Sequence, residues 1–256
     1  MNLSSVNIDL FLLVFMRITG LIILNPVFGR NSIPSILKVA LSLLCAFIIT
    51  PTLGLINVNI NSMTQMIVSC ALELCVGLAI GVIINLLFAV VTMAGEIIDM
   101  QMGLGMAFMY DPGAGINMPV IGGFFNAMLI MVFFSSNAHL ALFSLISDSF
   151  KAIAPGTAFP TTESAKFIFT MGGDFFSLGL RMAIPIMVIE LISIITMGML
   201  MKAVPQINIF TVGIQIQAAL GILLMLISIP ILVGLCERLT TFMIEKSSEL
   251  IRLMMH

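Results

Sequence analysis

Five ionisable residues stand inside long apolar runs: Arg17, Glu73, Asp148, Arg181 and Glu190. A charge is costly to desolvate within an apolar helix, so such a residue either pairs with an opposite charge or marks a proton or ion path. Arg17 and Glu73 are expected to neutralise one another between two helices, and Arg181 to meet a carboxylate on another chain. Arg17, Glu73, Arg181 and Glu190 are therefore read as buried charges with structural roles, and no cluster of acids marks an ion path. His139 has Ser135, Ser136 and Ser144 nearby, but nucleophilic catalysis needs a nucleophile held by a base and an oxyanion site. That constellation is missing, and His139 is read as a hydrogen-bonded structural residue. No GxxxxGK[ST], HExxH or GxSxG pattern occurs, so neither a nucleotide motor nor a known hydrolase motif is indicated. Cys45, Cys70, Cys75 and Cys236 lie in apolar runs without zinc-ligand spacing and are read as buried thiols. No catalytic residue, cofactor or metal is expected.

The segment from Met100 to Pro119 is apolar yet unsuited to a helix. Gly103, Gly105, Gly113 and Gly115 each destabilise a helix by up to about 1 kcal/mol, and Pro112 and Pro119 lack an N–H donor. Irregular backbone is excluded from lipid because its unsatisfied peptide groups cost several kcal/mol there, so this segment must face protein or a wet cavity. Met100, Met102, Met106, Met109 and Met118 supply unbranched, adaptable side chains along it. Such side chains suit a seal that closes tightly around nothing and loosely around many substrates. Gly77 and Gly81, four apart on one helix face, permit close approach of a second helix.

The elements that must position these residues are membrane helices. Of 256 residues, 60% are hydrophobic and 9% charged, where a soluble domain is roughly a quarter charged, which excludes a soluble monomer. Ten basic against twelve acidic residues leave a net charge of -2 and no basic field for nucleic acid. No Lys or Arg precedes the apolar run from Leu10 to Leu24, and Arg17 interrupts it. The first helix is thus expected to stay as an anchor rather than be cleaved as a signal peptide.

Pro, Gly and Asn punctuation divides the chain into roughly six apolar helical segments of membrane-spanning type. The first runs from about Asp9 to Leu24 and stops at Asn25-Pro26; the second follows Pro34 and ends near Thr50-Pro51. A third, from about Met63 to Val91, exceeds a hydrocarbon core of about 30 Å. A fourth extends from about Val120 to Phe150 and a fifth from about Ser164 to Lys202, with Pro185 as a kink. After a turn at Val204 to Asn208 a last segment continues with Pro230 inside it, so that the final two form one long helical hairpin. With the amino terminus outside, Arg30, Lys38 and Lys202 fall inside, but Lys151, Lys166, Arg238, Lys246 and Arg252 fall outside or near it, against the positive-inside rule, so either this topology is wrong or the chain is not a simple six-span bundle.

Several stretches resemble the FliR family of flagellar biosynthetic proteins, export-gate subunits of the bacterial flagellar type III secretion system. They are Arg17-Ile-Thr-Gly20, Pro26-Val-Phe-Gly29, Ala94-Gly-Glu-Ile-Ile-Asp-Met-Gln-Met-Gly-Leu-Gly105, Asp111-Pro-Gly113, Asn117-Met-Pro119 and Pro205-Gln-Ile-Asn-Ile-Phe210. The resemblance spans essentially the whole chain, although Asn137-Ala138-His139-Leu140 departs from the family's Asn-Gly-His. It implies an all-α membrane protein of long kinked helical hairpins: a FliP-like part over residues 1–160, containing a plug loop at about 100–119, then a FliQ-like hairpin over 161–256.

By the same resemblance the plug or gate comprises Met102, Gly103, Gly105, Met106, Phe108, Met109, Asp111, Pro112, Gly113, Asn117, Met118 and Pro119. Pro205, Gln206, Asn208 and Phe210 form a turn facing an FlhB-like switch protein. Further implied partners are FliP-like and FliQ-like subunits and unfolded export substrates. The implied place is the bacterial inner membrane at the flagellar basal body, in an assembly raised toward the periplasm. The family is not enzymatic. The alternative is a small secondary transporter with a midplane ionisable site, which requires two matched broken helices; one broken region is present. Virulence-associated secretion shares this fold, so the choice of flagellar rests on the resemblance.

Overall fold

The computed structural model describes residues 8–54, 62–104, 119–157, 161–204 and 213–255. Among the described residues there are seven helices and no strand: α1 (Ile8–Leu24), α2 (Ser35–Thr52), α3 (Met63–Gln101), α4 (Val120–Ser135), α5 (Ala138–Ala152), α6 (Thr162–Ala203) and α7 (Ile214–Leu253). The chain is an all-α membrane protein. Four helices, α2, α3, α6 and α7, are long and apolar enough to cross a bilayer, and α4 with α5 makes a fifth if taken as one bent span. With 39, 42 and 40 residues, α3, α6 and α7 run about 60 Å each at 1.5 Å per residue, twice a hydrocarbon core of about 30 Å.

Two boundaries differ from those expected. The single segment from Val120 to Phe150 is two helices bent by 68°. The break falls at Ser136-Asn137, where Asn137 adopts a left-handed conformation (φ 58°) that asparagine tolerates better than most residues. The third segment continues ten residues past Val91 to Gln101. Gly95 does not end it, because this glycine lies against the backbone of Gly122 in α4, and packing overrides its weak helix propensity. Pro185 and Pro230 both lie inside continuous helices.

Elsewhere the ends follow local chemistry. Asn25 closes α1 by accepting the N–H groups of Val27 and Phe28 on its Oδ1, at 2.8 and 3.2 Å, a turn that starts at Asn25-Pro26. Pro34 and Pro119 occupy the N-cap positions of α2 and α4. At the end of α3, Gly103 (φ 73°) forms a Schellman motif: its N–H donates to Met100 O, and the Leu104 N–H to Asp99 O.

The helices pack as two compact units, each drawn from separate stretches of chain. One comprises Met1–Leu87, Asn137–Gly173 and Thr240–His256; the other comprises Phe88–Ser136 and Asp174–Leu239. The first buries Leu13, Val14 and Ile18 of α1, Val76, Ile80 and Ile84 of α3 and Ile146 and Phe150 of α5. There the beginning of α6 meets the end of α7, Thr161 Oγ1 donating to Leu253 O at 3.4 Å. The second buries Phe88, Val91, Phe125, Leu129 and Phe133, with the Phe88 and Phe133 rings edge to face at 6.4 Å.

Candidate functional site

In the first unit, glycines bring α1 and α3 together. A Cβ on Gly77 would run into the Arg17 carbonyl, one on Gly20 into the Leu74 carbonyl, and one on Gly81 into the Leu24 side chain. The Gly77 and Gly81 pair therefore lies against α1, and Glu73, one turn before Gly77, lies on the same face of α3. Arg17 Nε donates to Glu73 Oε2 at 2.6 Å, with the two side chains 1% and 0% exposed. The expected pair is formed.

The pair is closed on all sides. Arg17 Nη1 donates to Ser149 O at 2.9 Å and to Ser149 Oγ at 3.3 Å, and Nη2 donates to Ile153 O at 3.1 Å. These contacts satisfy carbonyls at the end of α5. The guanidinium also sits 4.2 Å from the Phe150 ring centre. Glu73 Oε1 accepts the Gly156 N–H at 2.8 Å. Each guanidinium nitrogen and both carboxylate oxygens have a partner, as a buried ion pair requires to offset its desolvation. This is a three-way joint of α1, α3 and the chain that leaves α5.

In the second unit, Asp99 of α3 does for α4 what α4 cannot do for itself. A helix start leaves free N–H groups, and Pro119 at the N-cap has no side-chain acceptor. Asp99 is buried and accepts Ile121 N–H on both oxygens, at 2.9 and 3.1 Å, and Gly122 N–H at 3.4 Å. A carboxylate at this end also complements the helix dipole. Asn126 Nδ2 reaches Thr92 Oγ1 at 3.3 Å one turn further along. Through its backbone carbonyl Asp99 also caps the end of α3, so one residue secures the chain on both sides of residues 105–118. Met102 is fully buried, and a Cβ on Gly221 of α7 would collide with its side chain.

These joints occur in a chain matched by the family model described as bacterial export proteins, family 1, over residues 8–243. The chain belongs to that family. It is 31% identical over 233 residues to the flagellar biosynthetic protein FliR of Escherichia coli (strain K12), covering 91% of this chain and 88% of that protein. It is 34% identical over 226 residues to the FliR protein of Pectobacterium carotovorum subsp. carotovorum, covering 88% and 86%. With the FliR protein of Bacillus subtilis (strain 168) the identity is 28% over 246 residues, 95% of both chains.

In this export-family member the other expected site residues are placed unevenly. Met102 and Gly103 end α3 and Pro119 begins α4. Gly105, Met106, Phe108, Met109, Asp111, Pro112, Gly113, Asn117 and Met118 lie outside the described residues, as do Pro205, Gln206, Asn208 and Phe210. Glu190 is fully buried, and neither carboxylate oxygen has a hydrogen-bond partner among the described residues. Arg181 is exposed on the single chain, because the buried register of α6 passes through its neighbour Met182; the carboxylate expected to meet it was placed on another chain. Asp148 is likewise exposed, paired with Lys151 at 2.7 Å. Cys45 and Cys236 are buried thiols, whereas Cys75 is exposed and Cys70 half-buried. Asp99, Ser149 and Gly156 were not anticipated as site residues. A signal for Asp99 existed in a helix start, Pro119-Val120, with no capping side chain of its own.

Proposed function

We propose that this chain is a pore-forming and gating subunit of the flagellar type III secretion export gate, in the bacterial inner membrane. The flagellar assignment is supported by family membership and by relatives named flagellar biosynthetic protein. The gating role is supported above all by the Asp99 clasp. It ties the end of α3 to the start of α4, so the Gly- and Met-rich stretch between them leaves and re-enters at one point. A segment with its two ends fastened together can be displaced without unravelling the helices that carry it.

In this reading residues 102–119 plug the pore until an unfolded substrate passes, and the methionines mould around whatever is there. Residues 1–160 act as a FliP-like part and 161–256 as a FliQ-like hairpin, both packing on further FliP-like and FliQ-like subunits. The turn from Pro205 to Phe210 docks an FlhB-like switch protein, and the assembly stands toward the periplasm. The Arg17–Glu73 joint holds the scaffold and moves no proton, since both side chains are closed off from solvent and hydrogen-bonded at every nitrogen and carboxylate oxygen.

The test is a mass measurement of the complex purified with its co-expressed neighbours. A hetero-oligomer with FliP-like and FliQ-like chains is expected. A chain that runs alone or as a symmetric homo-oligomer contradicts the reading and fits a transporter.

A further inference from the structure

Two of the three buried acids among the described residues have partners: Glu73 meets Arg17, and Asp99 caps α4. The third, Glu190 of α6, is 0% exposed, and neither of its oxygens finds a hydrogen-bond donor among the described residues. Its seam is apolar: Met182 and Ile186 before it and Met197 after it are buried on the same helix, and Met225 and Leu232 are buried on α7. No counter-ion is at hand. In the second unit, to which Glu190 belongs, the described bases are Arg181, Lys202 and Arg238, all exposed, and no ion pair includes Glu190. Arg181 and Lys202 stand on the same helix about 13 and 18 Å along its axis from Glu190. The other titratable groups described in that unit are acids and a thiol: Glu96 and Asp99 on α3, Asp174 on α6, Cys236 and Glu237 on α7, and none on α4. Residues 105–118 and 205–212 add no Lys, Arg or His to the sequence.

We infer that Glu190 is a proton-binding site: its carboxyl takes up a proton as α6 packs into the second unit and gives it up on meeting water. An ionised carboxylate here would lose its hydration with neither a donor nor a counter-ion to replace it, so the neutral acid is the form this seam accepts. A metal cation is a poor substitute, because it needs several ligands at once, and no group of three His, Cys, Asp or Glu that could hold one occurs among the described residues. The folded chain therefore carries a proton that the unfolded chain releases above the ordinary glutamate value of about 4.3. Unfolding sheds that proton, so a rise in pH favours the open chain and a fall in pH favours the packed one. Packing of the second unit is thereby tied to the proton concentration on whichever side wets the seam.

The test needs no export activity, so it stands or falls separately from the pore reading. The full chain is purified in detergent, unaltered and as Glu190→Gln, a neutral side chain of the same shape. At about pH 8 exposed Asp and Glu are ionised, so an infrared carbonyl band of a protonated acid reports a shielded carboxyl. The unaltered chain is expected to show that band, and the variant to lose it. The folded-to-unfolded ratio is then measured by denaturant titration. Between about pH 6 and about pH 7 it is expected to fall about tenfold more in the unaltered chain than in the variant, the linkage of one proton. Should Glu190→Gln fail to fold, Glu190→Met serves for both readings. A protonated-acid band unchanged by the substitution, equal pH dependence of the two chains, or loss of the band from the unaltered chain on adding sodium or magnesium overturns the inference.

Discussion

Replacing Arg17 by Met keeps much of the buried volume and removes every polar contact of the joint. The 2.6 Å ion pair to Glu73 goes, with the bonds to Ser149 O and Ile153 O. Glu73 is left in an apolar interior with one partner, the Gly156 N–H at 2.8 Å. Stranding a buried charge in this way costs about 3 to 5 kcal/mol, a factor on the order of a hundred to several thousand in the folded ratio. That is a large share of a typical stability of about 5 to 15 kcal/mol. Glu73→Leu is expected to cost a similar amount, because it strands the guanidinium. The double variant strands no charge but leaves the Ser149 and Ile153 carbonyls and the Gly156 N–H without these partners, at about 1 to 3 kcal/mol each. Thermal unfolding of the four purified chains in detergent is expected to show the double variant about 2 to 3 kcal/mol less destabilised than the sum of the singles. Additive singles, or Arg17→Met within about 1 kcal/mol of the unaltered chain, refute the joint. Normal assembly of Glu73→Gln with loss of proton-driven export would make Glu73 a relay.

Gly77→Ala drives a methyl group into the Arg17 carbonyl, and overpacking of this kind costs about 1 to 3 kcal/mol; unchanged melting would mean that α1 and α3 can separate freely. Asp99→Ala leaves the Ile121 and Gly122 N–H groups without their acceptor, a loss of about 0.5 to 2 kcal/mol for the cap. Hydrogen exchange at those two amides should speed up, and unaltered protection would remove Asp99 from the account. Glu190→Met replaces a buried carboxyl that has no partner among the described residues by an apolar side chain of similar length and should stabilise the chain by about 1 to 3 kcal/mol. A lower melting temperature shows that Glu190 has a use within the fold.

What could be read from residues alone follows physical range. The Arg17–Glu73 pair was legible because each charge interrupts an apolar run, and Gly77 and Gly81 announced the close contact that brings the two helices together. The stretch from Met100 to Pro119, read as unsuited to a helix from its density of Gly and Pro, lies for the most part outside the described residues. Asp99 was not legible, because the helix start it caps lies some twenty residues away across that stretch, and no local pattern ties a donor to so distant an acceptor. The break at Ser136-Asn137 escaped notice for lack of Gly or Pro, since one left-handed asparagine suffices to make the bend. The exposure of Arg181 on the single chain was not legible, because hydrophobicity all round α6 hides its register. Phe175, Met182, Ile186, Glu190 and Met197 mark the buried seam only once the packing is known.

Residues 102–119, proposed to seal a pore, are tested by ion conductance across the inner membrane. Cells carrying the assembled complex with Gly103 to Gly115 shortened should leak small ions and become osmotically sensitive, while the unaltered complex stays tight. Conductance equal to that of the unaltered complex, with the shortened chain present and assembled at normal levels, would contradict the account.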